Sequence, residues 1–272
     1  MDYKKIKNYT ILIQDNPANI SLIPISDLLE YPELINMALD EDYLIFEKIE
    51  PEFMLAHPEV VISAVLKSAS MIKYVPLEVL NAFPDICYVA IEKTGFALRH
   101  IPNEILLNDE DLVLKALTIS PLAIRYLKED VQLKHEKAIM IAVRNNYLAL
   151  NHLTKKAQLK YYNLVEETLL AVPSSLRFVH DDVQQEHSLT IKKLVRNDDK
   201  LFRFVSYKVK VKEPDINRIA VKKDWKYLKL VPPEVMLDNL DIVREALKQN
   251  YLASGYVPDE VLKELGNNNK KT

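Results

Sequence analysis

The chain has 272 residues, of which 49% are hydrophobic and 28% charged, with a formal net charge of −3. That composition belongs to a folded, water-soluble chain; it excludes wholesale disorder, and the absence of any run of 18 apolar residues excludes a transmembrane helix. With only three glycines (Gly95, Gly255, Gly266) and one cysteine (Cys87), a Gly-rich phosphate loop, a Rossmann fingerprint, an intrachain disulfide and a cysteine-rich zinc site are excluded as well.

The first apolar run, Thr10 to Ile13, follows Lys4, Lys5 and Lys7 and is too short to be expected to act as a signal peptide. From there a single period takes over. Steps of 26 from Ala38 meet Ala64, Ala90, Ala116, Ala142, Thr168, Leu194, Ala220 and Ala246, and one step back meets Leu12. The residue 11 places further on is aliphatic in all ten registers, from Ile23 and Ile49 to Val231 and Val257. A period of this kind marks a repeat architecture, in which one short unit cannot bury its own apolar face and neighbours must stack. The frame gives ten units without an insertion: 7–32, 33–58, 59–84, 85–110, 111–136, 137–162, 163–188, 189–214, 215–240 and 241–266. The chain is therefore expected to be all-α, one α-solenoid domain over residues 1–266, with a disordered polar tail at 267–272.

Each unit reads as three short helical elements. In the unit that begins at Asp85, the apolar Ile86, Cys87, Ala90 and Ile91 share one face of a first helix. Four places after each anchor stands a capping residue (Asn16, Asp42, Ser68, Thr94, Ser120, Asn146, Asp198, Asp224, Asn250), with Val172 the one departure. Pro17, Pro121 and Pro173 follow directly, as befits the first position of a second helix. Pro24, Pro76, Pro102, Pro232 and Pro258 end that helix and open a third, whose first turn carries Glu78, Glu104, Glu234 or Glu260 where the helix dipole favours an acid.

The recurring pattern D-x-x-[IV]-x-x-A-[LV], then Asn, Asp or Ser, then L-[RK]-[YFH]-[IV]-P-x-E-[VIL] is clearest at Asp85 to Leu106, Asp111 to Val131 and Asp241 to Leu262. It resembles a tandem-repeat domain family of unknown function found in giant viruses, amoeba-associated bacteria and protists. The resemblance implies a fold of stacked short helices and is compatible with a host-directed effector or a viral role; no biochemical activity belongs to the family as a whole.

With every residue from 7 to 266 assigned to a structural unit, no catalytic domain is expected, and neither a cofactor nor a metal. Cys87 falls in a core column. His180 and His187, with Asp181, Asp182 and Glu186 between them, invite a zinc reading but more simply begin a solvated helix. The informative column is Lys73, Arg99, Arg125, Asn151, Arg177, Arg203 and Lys229, each beside an aromatic, histidine or leucine side chain. Five residues later stand Glu78, Glu104, Asp130, Lys156, Asp182, Lys208 and Glu234, which suggests an internal ladder of ion pairs; without such a ladder, basic and aromatic groups at one register per repeat suit single-stranded nucleic acid.

Charge is also uneven along the chain. Lys192 to Lys229 holds 13 basic and 5 acidic residues, and Asp27 to Glu59 holds ten acids against Lys48. Between Thr154 and Pro214 the stop Pro gives way to Thr154, His180 and Ser206, and the segment Tyr207 to Pro214 alternates with period 2 and is expected to be extended. The reading is a non-enzymatic, cytoplasmic scaffold that binds another protein with an acidic surface through Arg177, Arg203, Lys208, Lys210, Lys212, Lys222, Lys223, Lys226 and Lys229. RNA or single-stranded DNA is the alternative ligand, no membrane is a partner, and the charge asymmetry allows head-to-tail self-association.

Overall fold

A computed structural model describes residues 3–269 of the chain, with side chains to residue 266. Among the described residues there is no strand, and one order of elements recurs: a longer α-helix, a six-residue 310 helix, a six-residue α-helix. Asp85–Lys93, Gly95–His100 and Asn103–Asn108 form one such triplet, and Glu110–Ile119, Pro121–Tyr126 and Glu129–Lys134 form the next. The last helix, Asp259–Asn269, continues into the segment expected to be tail, of which residues 270–272 lie outside the described part.

The chain divides into two compact units, Met1–Asn146 and Tyr147–Thr272. Within the first, long helix packs on the long helix of the neighbouring triplet, as Pro58–Lys67 does on Asp85–Lys93 and Asp85–Lys93 on Glu110–Ile119. The 310 helices and the short helices likewise meet their own kind one triplet away. The second unit repeats this arrangement, with Ser188–Asn197 on Pro214–Lys223 and Pro214–Lys223 on Leu240–Gln249. The anchors explain the close approach of the long helices: Ala38, Ala64, Ala90, Ala116 and Ala142 in the first unit, and Ala220 and Ala246 in the second, have no exposed surface. The aliphatic column from Ile23 to Val257 is buried at all ten positions.

The capping column does what its residue types predict at six positions, whereas Ser68 and Ser120 make no side-chain cap bond. Asn16, Asp42, Thr94, Asp198, Asp224 and Asn250 each hold an extended backbone and accept a hydrogen bond from the N–H two residues on. The element that follows is a 310 helix where the sequence suggested only a second helix.

Tyr207–Lys212 corrects the expectation of an extended segment: it is an α-helix, capped by the Ser206 hydroxyl, which accepts from Val209 N–H at 3.4 Å. Its buried pair is Val209 and Lys210, the same adjacent positions that hold Val79 and Leu80 in the first unit. The period-2 alternation of lysine and valine is a coincidence of five residues, with Val211 left exposed. Thr154 likewise replaces a stop Pro with a side-chain cap, on Ala157 N–H.

Unlike Pro, the replacements carry an N–H, and the second unit supplies its acceptor from the core. Gln158 Oε1 accepts from His180 N–H at 3.0 Å and Gln184 Oε1 from Ser206 N–H at 2.8 Å. The Nε2 of Gln158 donates to Leu150 and Phe178 carbonyls, and that of Gln184 to Val179 and Phe204 carbonyls. Both glutamines are buried at a register that holds Leu or Met in six other triplets and Gln132 and Lys210 in the remaining two. A buried amide is tolerated there because nearly all its hydrogen-bonding capacity is met.

A face of cations held on aromatic rings

The ends of the 310 helices carry the basic column, and its geometry differs from the ion ladder. Among the described residues, Lys73, Arg99, Arg125, Arg177 and Arg203 make no ion pair. Each instead leans on a ring beside it. Lys73 Nζ lies 4.3 Å from the Tyr74 ring centre, the Arg177 guanidinium 4.6 Å from Phe178, and that of Arg203 5.0 Å from Phe204. Arg99 Nε donates to His100 Nε2 at 2.8 Å. Such contacts order a cation while leaving its in-plane donors available.

The carboxylates pair elsewhere, between neighbouring triplets. Lys155 and Lys208 both meet Asp182; Lys192 meets Asp215, and Arg218 joins Asp215 and Asp241. The two ammonium groups on Asp182 hold its carboxyl down to about 2. Pairing at sequence separations of 23 to 27 is invisible to a search within one unit.

This redistributes the residues singled out from sequence. Arg177 and Arg203 stand exposed on their rings. Lys208 is committed to Asp182, and Lys223 approaches Asp199 at 3.7 Å and donates to the Arg196 carbonyl. Lys212, Lys222, Lys226 and Lys229 are exposed. Lys210 is a correction: only 7% exposed, with its Nζ 4.5 Å from the centre of the Phe202 ring, it occupies a core register and cannot contact a partner's surface. Burial pushes its ammonium down to about 8.

Sequence reasoning missed a groove in the first unit. A cleft of about 490 Å3 runs between the 310 helices Ala69–Tyr74, Gly95–His100 and Pro121–Tyr126, and its lining includes Lys93, Arg99 and Arg125 but no carboxylate. Arg125 sits between two rings, 5.2 Å from Phe96 and 5.0 Å from Tyr126, which meet edge to face. Gly95 permits this arrangement, since a Cβ there would lie 2.2 Å from the Ala116 carbonyl oxygen and 2.7 Å from Ser120 Cβ. Burial, together with Arg99 and Lys73, holds His100 below its ordinary value, as expected of an imidazole in a positive field. A separate cleft in the second unit, lined by Arg177 and Phe178 together with the start of the short helix that follows, contains Asp181 and Asp182.

The remaining chemical candidates resolve into structure. Cys87 is buried, and burial pushes its thiol up to about 12, far from a thiolate. His180 Nε2 faces the Leu153 carbonyl, whereas His187 is buried with Nδ1 2.6 Å from Glu166. Thr190 also bonds Glu166, so its hydroxyl and the imidazole both face the carboxylate and not each other, the wrong order for nucleophile activation. Burial pushes the Glu166 carboxyl up, but the bonds from Thr190 and His187 outweigh it and leave it lowered. Among the described residues no group of three His, Cys, Asp or Glu side chains is placed to hold a metal ion.

Among the described residues, no helix is long and apolar enough to cross a membrane. Compared with known proteins, residues 84–132 match the profile of a domain of unknown function (DUF4116). The matched segment runs from the residue before Asp85–Lys93 into Glu129–Lys134, and it contains the Arg99 and Arg125 registers. No curated protein and no solved structure matches the chain.

Proposed function

We propose that the chain is a non-enzymatic, cytoplasmic repeat scaffold, solenoidal within each compact unit, whose 310-helix face binds a protein segment rich in acidic groups. The observation that carries this reading is the column of exposed cations held on neighbouring rings instead of on carboxylates. An array evolved only for stability gains little from exposed charges left without counterions, whereas a partner's carboxylates find there donors that are already ordered. The single, buried Cys87 suits a reducing compartment.

The surface proposed for the second unit is Arg177 and Arg203 with Lys212, Lys222, Lys226 and Lys229, without Lys210. The test is titration of the full chain with a fluorescent oligoglutamate peptide and, separately, with oligouridylate. Binding of the peptide that weakens with salt and is lost when Arg99, Arg125, Arg177 and Arg203 are all changed to Gln supports the reading. Binding of oligouridylate alone replaces it with nucleic-acid binding, and failure of both ligands to bind at low salt removes it.

A further inference from the structure

We propose that the groove between Ala69–Tyr74, Gly95–His100 and Pro121–Tyr126 is a phosphoryl-binding site that recognises a phosphorylated side chain in a partner peptide. This rests on the reading of the 310-helix face as a protein-binding surface and names its ligand in the first unit.

Three features of the groove converge on a compact dianion. First, Lys93, Arg99 and Arg125 line it with no carboxylate among the lining residues. Second, Arg125 lies over both the Phe96 and the Tyr126 ring, so its planar fork is ordered while its in-plane N–H groups have no acceptor among the described residues. A fixed guanidinium edge matches two oxygens of a phosphate. Third, hydroxyl donors complete the wall. Ser68 and Ser70 oxygens lie 2.8 Å apart and share one proton, which leaves the other hydroxyl free to donate. Thr94 Oγ1 accepts from Phe96 N–H, and its own proton is likewise free.

The capping column explains why the anion is admitted here. Asp42, Asp198 and Asp224 fill the capping position in other triplets, whereas Ser68, Thr94 and Ser120 fill it around the groove. Thr94 caps through a neutral hydroxyl, and Ser68 and Ser120, which make no cap bond, likewise place no negative charge at the rim. A peptide-borne phosphoryl group is favoured over a polynucleotide because the groove is compact and the cation column is interrupted on both sides of it, by Glu47 before Lys73 and by Asn151 between Arg125 and Arg177, so regularly spaced phosphates would not be met at every register.

The experiment uses the full chain and three fluorescent probes: a degenerate peptide pool with a fixed central phosphoserine, the same pool with serine, and oligouridylate. The phosphorylated pool should bind about tenfold or more tighter than its serine twin, and inorganic phosphate should displace it. Arg99→Gln and Arg125→Gln should each reduce that binding about tenfold, with Lys263→Gln, an exposed cation outside the proposed binding surfaces, as the control that leaves it unchanged. Arg125→Lys, which keeps the charge and loses the flat fork, should also weaken it. Equal binding of the two peptide pools, or no displacement by phosphate, overturns the proposal on the unmutated protein, whatever the variants do. If oligoglutamate still binds in that case, the broader reading of the face survives; if it does not, both fail. Oligouridylate that outcompetes the phosphopeptide overturns the proposal in favour of nucleic acid.

Discussion

Replacing Gln184 by Leu should destabilise the chain by about 1–3 kcal/mol, and adding Ser206→Pro should recover much of that loss. Gln184 Oε1 is the acceptor for the buried Ser206 N–H at 2.8 Å, and without it that donor has neither protein nor water to turn to. An unsatisfied buried donor costs about 1–3 kcal/mol. The amide also donates to the Val179 and Phe204 carbonyls, each at 3.1 Å. Leu80, at the same register of an earlier triplet, offers no donor to the corresponding carbonyls of Val75 and His100, so the fold tolerates that part of the change. Proline removes the stranded N–H, and the backbone is already shaped for it: Ser206 has φ −64° and ψ 154°, against −62° and 152° at Pro76. Val205, at φ −69° and ψ 126°, is extended as the residue before proline must be. Made alone, Ser206→Pro strands Gln184 Oε1 and deletes the hydroxyl cap on Val209 N–H, so it should cost about 1–2 kcal/mol. Urea unfolding of the four chains, followed by circular dichroism, gives the double-mutant cycle. A coupling of about 1 kcal/mol or more in the recovering direction is expected; costs that add to within about 0.5 kcal/mol would refute the pairing.

Gly95→Ala should lower stability by about 1–3 kcal/mol despite the stiffer unfolded chain, because the added Cβ meets the Ala116 carbonyl oxygen at 2.2 Å and the 310 helix must back away. Calorimetry reads the loss, and an unchanged or raised melting temperature would show that the close approach is dispensable. Lys210→Met, which restores the residue type of Met54 and Met236, should stabilise the chain by roughly 1–3 kcal/mol near neutral pH. Burial lowers the Lys210 ammonium to about 8 from an ordinary 10.5, so the unfolded chain binds the extra proton between those values. The parent should gain stability as pH rises from about 8 to 10.5, and the advantage of the methionine chain should shrink over the same window. Asp182 has the opposite sign. Its carboxyl is held at about 2 against an ordinary 3.8, so its contribution is complete above the higher value and disappears as pH falls toward the lower. Melting temperatures of Asp182→Asn and its parent, measured from pH 5 to pH 2, should therefore converge at the acid end.

The repeat was legible because burial at a fixed spacing writes the same residue sizes into the same column, as the alanines at 38, 64, 90, 116 and 142 show. The caps were legible because an orphan N–H selects a small set of side chains. What escaped was set by partners distant in sequence. Whether six residues form an α or a 310 helix depends on what clamps their ends, which periodicity does not report. The period-2 run at Tyr207 pointed to a strand only while the inward position of Lys210 was overlooked; read by register, it belongs to the column of Met54, Leu80, Gln184 and Met236. The basic column was read against acids five residues away, whereas the structure gives those acids to lysines and asparagines of neighbouring triplets, such as Asp182 to Lys155 and Lys208 and Asp130 to Asn103.

Asp and Ser or Thr are nearly interchangeable as helix caps, because each offers an oxygen to the same N–H. For anything approaching the rim of the 310 helices they are opposites, one adding a negative charge and the other a neutral donor. A repeat array can therefore alter the ligand taken at one register by exchanging a cap, while the six-residue helix behind it, its buried aliphatic column and its neighbours stay as they were. The stretch from Ser68 to Ser120 carries a hydroxyl at three successive capping positions, of which Thr94 makes the cap bond, beside the three cations at Lys73, Arg99 and Arg125. Changing Thr94 to Asp should then leave the melting temperature within about 1 kcal/mol of equivalent stability while weakening the groove's hold on an anion, a separation that a purely structural role for the column does not produce.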